Sequence, residues 1–214
     1  VTIDPNGRTV QGVTDFVLFA VLNVLFLVTC LPVVTIGAAT SSLLEVTYRY
    51  ADHERGNLVR DYVSALRRNL ARGTAVFAAL GVPAAMLVFS GVFWLSLTSV
   101  VSAVAGLLCL LGAAYLLASL CYGFALVGTH EARLGQTVRN ALLLSLAEPL
   151  RTMGLVAIPL TGAALLYVWP VSWVFAVTVG FAFGAYLQAL VLRGVFARRA
   201  AGADLAPVNP HSGE

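Results

Sequence analysis

Charge is scarce in this chain. Only 11% of its 214 residues are charged, against 59% hydrophobic, and lysine is absent. A water-soluble domain carries roughly 25% charged residues, so the chain lacks the polar surface that a soluble fold needs. Cysteine is scarce as well: Cys30, Cys109 and Cys121 each sit in an apolar run, with no CxxC pair. An odd count so placed suggests neither a disulfide framework nor a metal site, and the thiols read as small buried hydrophobes. No P-loop, no GxGxxG after a strand, no HExxH and no nucleophile elbow occurs. His53, His130 and His211 fall in loops or the tail, which excludes an intramembrane bis-histidine haem. The expectation is a protein that is not an enzyme and holds no metal or cofactor.

What is present is a series of charge-free runs of about 20 residues, each long enough to cross about 30 Å of hydrocarbon as a helix. Mean hydropathy is +0.89. The runs predict spans at 16–36, 74–97, 101–127, 152–169 and 174–192, in one membrane domain covering 1–195 and followed by a disordered tail, 196–214. Val1 to Gly12 lacks the basic start of a cleavable signal peptide, so the first span is expected to act as its own insertion signal.

Two amphipathic segments interrupt the spans. Leu58, Val59, Tyr62, Val63, Leu66 and Leu70 recur at helical spacing, with Arg60, Ser64, Arg67, Arg68 and Arg72 largely elsewhere on the wheel. Leu134, Val138, Ala141, Leu142 and Leu146 repeat the pattern. Such helices suit an interface with anionic headgroups. The predicted fold is therefore an all-α polytopic bundle of five transmembrane helices plus two cytoplasmic interfacial amphipathic helices. Ahead of the first, Ala39 to Ala51 reads as a helix capped by Thr40, Ser41 or Ser42, with Glu45 and Arg49 as an i,i+4 pair. Asp52 to Asn57 reads as a turn.

The arginines set the topology. They concentrate in 37–72, in 128–151 and after Leu192, and the two intervening turns hold none. By the positive-inside rule those segments are cytoplasmic, which places the C-terminus inside and the N-terminus outside. Trp94, Trp169 and Trp173 then all fall at the outer interface. A basic excess confined to loops speaks for lipid contact rather than nucleic acid. Arginine without lysine, among abundant Ala, Val, Leu and Gly, points to a high-GC bacterial source and hence to a bacterial plasma membrane.

Shifting the chain by 76 residues superposes Ala65-Leu66 on Ala141-Leu142 and Pro83 on Pro159. Each unit would be an amphipathic helix, a proline-containing span and a return span, a repeat of the parallel kind.

Candidate contacts with a partner or solute are few. Asn23 and Gln188 are amides within spans; each can also serve as a hydrogen bond between helices. Pro32, Thr35, Gly37 and Thr40 form a helix break that can expose backbone to a solute, or simply re-satisfy it. Glu45, Arg49, Asp61 and Asn69 are polar candidates beside it, the three charged ones readable also as a solvated ion-pair network. No ionisable side chain lies in the middle of any span, which counts against a proton-coupled transporter. Glu131-Ala132 and Gly135 fit only fragments of the coupling loop of bacterial ABC importer permeases.

The block Leu31-Pro32-Val33-Val34-Thr35-Ile36-Gly37-Ala38-Ala39-Thr40, with Asn23 before it, Arg60-Asp61-Tyr62 to Arg68-Asn69-Leu70 after it, and Asn140-Ala141-Leu142 to Glu148-Pro149-Leu150 later, resembles the YesL-like bacterial membrane proteins. That family has no established function. The resemblance runs from about Asp15 to Leu192, and Tyr62 stands where the family often has phenylalanine. It implies a five-span protein and an accessory role in carbohydrate uptake, beside a sugar ABC importer. Two functions follow as expectations: a non-enzymatic accessory or scaffold protein docking a partner through its cytoplasmic helices, or a small-solute transporter or channel acting as a homo-oligomer.

Overall fold

The computed structural model describes residues 8–52, 56–129, 132–169 and 171–204, and these are helical almost throughout. The order is α1 (Arg8–Cys30), α2 (Ile36–Ala51), α3 (Leu58–Val76), α4 (Val82–Leu95), α5 (Val100–Thr129), α6 (Leu134–Ala147), α7 (Pro149–Val168), α8 (Ser172–Phe175) and α9 (Phe181–Asp204). A π-turn over Phe77–Gly81 joins α3 to α4, and a second over Ala176–Gly180 joins α8 to α9. Among the described residues four continuous helices are long and apolar enough to cross a membrane: Leu58–Leu95, Val100–Thr129, Pro149–Val168 and Ser172–Gly194, with Thr14–Cys30 as a shorter apolar helix. The chain is a helix bundle with the composition of a membrane protein.

Several boundaries differ from those expected. The first apolar helix stops at Cys30 rather than Ile36, because Pro32 stands in extended conformation (φ −76°, ψ 118°) with no N–H to continue the ladder. The first amphipathic helix does not lie apart from span two but runs straight into it, giving one helix of 38 residues, about 57 Å long against about 30 Å of hydrocarbon. The last helix continues past Leu192 to Asp204, so the expected tail begins helical; residues 205–214 lie outside those described.

The largest departure is α2. It falls in the arginine-bearing segment 37–72 expected on the cytoplasmic side, yet eleven of its residues are buried, and it touches α1, α3, α5 and α9. Small side chains make this position possible. A Cβ on Gly37 would stand 2.3 Å from the Gly73 carbonyl oxygen, and one on Gly73 would stand 2.8 Å from the Gly37 oxygen. The α2 and α3 backbones are thus in direct contact, as small residues permit between membrane helices. On the other flank Gly128 of α5 lies against Glu45 Cβ and the Ser41 carbonyl. Ser41, Ser42 and Thr47 sit deep in this core with their hydroxyls donating to carbonyls three or four residues back. Helix α2 also starts earlier than expected, at Ile36, so Thr40, Ser41 and Ser42 are interior residues and not caps.

The two halves of the suspected repeat share an element order but handle their prolines differently. Pro83 follows a π-turn, the added residue of which absorbs the hydrogen bond a proline cannot make. Pro159 sits inside an otherwise regular α7. The continuous α3–α4 rod has its counterpart in a broken pair, α6 and α7, divided at Glu148 (φ −128°, ψ 65°).

Candidate functional site

The polar candidates fall into two groups, backbone repairs in the spans and a buried carboxylate between α2 and α3.

Asn23 is fully buried on α1 and faces the second π-turn. Its Nδ2 donates to the carbonyls of Ala176 (3.0 Å) and Val177 (2.7 Å), and its Oδ1 accepts from the Ala182 amide (3.0 Å). A π-turn displaces the regular i→i+4 ladder, and in hydrocarbon the displaced groups need partners from a neighbour. One side chain supplies three.

Gln188 does the same for a proline. Pro159 removes the donor that Leu155, four residues earlier, would have received. The Gln188 Nε2 donates to the Leu155 carbonyl at 3.3 Å. Replacing Gln188 by Leu is expected to lower stability by about 1 kcal/mol. The same replacement in a Pro159→Ala chain, where residue 159 again has an N–H for Leu155, should cost clearly less. Thermal unfolding of the four chains of this cycle in detergent measures the difference.

At the Pro32 break the hydroxyls serve the end of α1 and not the start of α2. Thr35 Oγ1 lies 2.6 Å from the Thr29 carbonyl and 2.7 Å from that of Pro32, and it makes no cap bond to α2. Thr29 Oγ1 meets the Tyr62 hydroxyl at 2.6 Å, and Thr74 Oγ1 donates to the Val34 carbonyl at 3.0 Å. The break is therefore tied to both ends of α3. Thr40 is one turn into α2, its hydroxyl returned to the Ile36 carbonyl at 2.8 Å.

Glu45 is only 6% exposed. The expected i,i+4 partner Arg49 is not the one it takes: one carboxylate oxygen pairs with Arg68 and the other accepts from Asn69 Nδ2 at 2.8 Å, both on α3. Asn69, 1% exposed, also reaches Ser42 Oγ at 3.4 Å. A buried carboxylate requires such partners, and the small residues of α2 bring α3 close enough to supply them. Asp61 lies away from this cluster, in the first turn of α3 against Gly56, where an acid favours the helix N-terminus. Arg193 of α9 bonds Asp52 at 2.7 Å and the Ala51 carbonyl, fixing the far end of α2. Burial first, and then the Asp52 carboxylate against the opposing Arg193, raises the Tyr48 phenol above its ordinary pKa, so it adds no charge there at neutral pH.

The structure thus brings Glu45 and Asn69 together. It places Asn23 and Gln188 against separate stretches of backbone, and Asp61 and Arg49 elsewhere. Among the described residues no buried side-chain nitrogen or oxygen is without a hydrogen-bond partner, and no group of three metal-ligating side chains occurs. His53, His130 and Glu131 lie outside the described residues. The sequence reading missed Tyr62, Thr74 and Arg68 as partners. Tyr62 and Asn69 share the stripe Leu58, Tyr62, Ala65, Asn69, Gly73 and Val76 that α3 buries, a helical spacing legible in advance.

Residues 19–91 match a family model described as a protein of unknown function, DUF624. This stretch holds the Pro32 break, α2, the α3 rod and most of α4. No curated protein and no solved structure matches the chain.

Proposed function

We propose that the protein is a non-enzymatic accessory or scaffold protein of the bacterial plasma membrane, docking a partner through the arginine face of α3. The observation that carries this is the state of Arg60 and Arg67. Both are exposed at the same heptad position, and among the described residues neither has an acidic partner. Half-buried Val59 and Val63 run beside them. Arg60 precedes Thr74, the start of the apolar span, by about 21 Å of helix, whereas headgroups occupy only about 5–7 Å per leaflet. Arg72 is turned to the Ala132 carbonyl at 3.1 Å, whereas Arg60 is placed for an acidic segment of another protein. In this reading the arginine-bearing ends and the C-terminus are cytoplasmic and the N-terminus is outside.

The match of 19–91 to a family of unknown function is compatible with the YesL-like resemblance. The link to carbohydrate uptake, with a sugar ABC importer as the partner, rests on that resemblance. A solute path is less well supported, because the amides and the carboxylate that would line it are engaged by the bundle's own groups.

Co-purification from native membranes in mild detergent tests the reading. The unaltered chain should retain a partner that the Arg60→Glu/Arg67→Glu chain loses, with the midpoint of thermal unfolding unchanged between the two. Recovery of this protein alone, or equal recovery with both chains, would remove the basis for a docking role.

A further inference from the structure

Between α7 and α9 lies a crevice of about 480 Å³, floored by α2 and α5 and reached also by Phe26 of α1. It owes its existence to thin packing on one side. Of α7 only Leu155 is buried, and a Cβ built on Gly162 meets nothing within 4 Å. Gly180 and Gly184 keep the α9 wall low. Its size is that of a small-molecule site.

The chemistry of the lining selects the occupant. Its polar members are few, and they donate to the bundle's own backbone: Thr40 to Ile36, Ser172 to Leu165 and Trp169, and Gln188 to Leu155. A sugar or ion entering here would lose its water and find too few free polar groups to replace it. An apolar chain would lose nothing. The crevice lies between two helices of membrane-spanning length, and its rim residues Leu165, Phe175 and Phe181 belong to the exposed apolar surface. It is therefore continuous with the surface that faces hydrocarbon, and an apolar cavity of this kind takes up apolar ligands.

We propose that the α7–α9 crevice is a binding site for an acyl chain of a membrane phospholipid. The site is independent of the docking face on α3, so either can fail without the other.

Photolabelling tests it. The full chain is reconstituted in phospholipid vesicles containing a trace of phosphatidylcholine with a diazirine in mid-acyl chain, and labelled residues are mapped by mass spectrometry. Leu44 and Phe124 line the crevice but are only 3% and 7% exposed, out of reach of bulk lipid; Leu108 on α5 faces outward and serves as the bulk control. The expected result is label on Leu44 and Phe124 as well as Leu108, and loss of the first two with Leu108 retained in the crevice-filling Gly162→Phe chain. Ala163→Phe, which fills the same crevice, should repeat the loss. Label confined to Leu108 in the unaltered chain would overturn the proposal, as would label at Phe124 that both filled chains keep. Inter-chain cross-links across the crevice, marking a second copy as its cover, would also overturn it.

Discussion

A Gly37→Val chain is expected to yield almost no folded protein. The Cβ alone would stand 2.3 Å from the Gly73 oxygen, 2.6 Å from Phe77 Cβ and 2.9 Å from the Gly73 carbonyl carbon. Two of these three are backbone and cannot rotate away, so α2 and α3 would have to separate. Overpacking ordinarily costs about 1–3 kcal/mol where side chains can shift; here the separation would also strain the Glu45 pairing with Arg68 and Asn69, so the cost should be about 3 kcal/mol or more. Gly73→Val meets the same obstruction from the other side, with Ser41 Oγ at 2.7 Å and Ala38 Cα at 2.8 Å. Gly135→Val, where nothing lies within 4 Å, should lose nothing, because valine is a slightly better helix former than glycine. Monodisperse yield in size-exclusion chromatography, read against the Gly135→Val control, measures the difference. Normal yield from Gly37→Val would mean that the two backbones are not in contact.

Asn23→Leu is expected to have the second largest effect. It removes the partners of two carbonyls and one amide of span five at once. Each unpaired group costs about 1–3 kcal/mol when buried, and partial closure of the π-turn would recover some of it, leaving a net loss of about 3 kcal/mol. Asn23→Asp should fall between the two chains, since a buried carboxyl in its neutral form retains an acceptor for Ala182 and one O–H donor in place of two N–H donors. Thermal unfolding of the three chains in one detergent gives the order. A Leu chain as stable as the unaltered one would show that the π-turn is satisfied without Asn23.

The sequence announced the helix bundle through its charge-free runs. The hairpin turns were also legible, since α4–α5 and α7–α8 meet at uncharged, Trp-bearing stretches. The placement of α2 was less so. Ser41, Ser42, Thr47 and Glu45 carry the polarity of a surface helix, and only the tertiary fold gives each a buried partner. One local signal was available: Gly37 to Ser42 is an unbroken run of small residues, the composition of helices that pack backbone to backbone. The partner of Glu45 was beyond reach, because a sequence-local rule favours Arg49 and the choice of Arg68 depends on how closely α2 and α3 approach. Gln188 and Pro159 are likewise meaningful only as a pair across α7 and α9, and neither residue names the other. The block Leu31 to Thr40, on which the resemblance rests, keeps its importance in a changed sense: it ends α1, ties that end to α3 and starts the central helix.

If the protein docks a partner as proposed, with the described polar side chains of the bundle engaged by its own backbone and by one another, it should move no solute. Flux into proteoliposomes tests this most directly, with a panel of labelled sugars and monovalent cations and the protein's folded state verified after reconstitution. Uptake should equal that of protein-free vesicles. A saturable uptake that disappears in the Gln188→Leu chain, with that chain still folded, would contradict it.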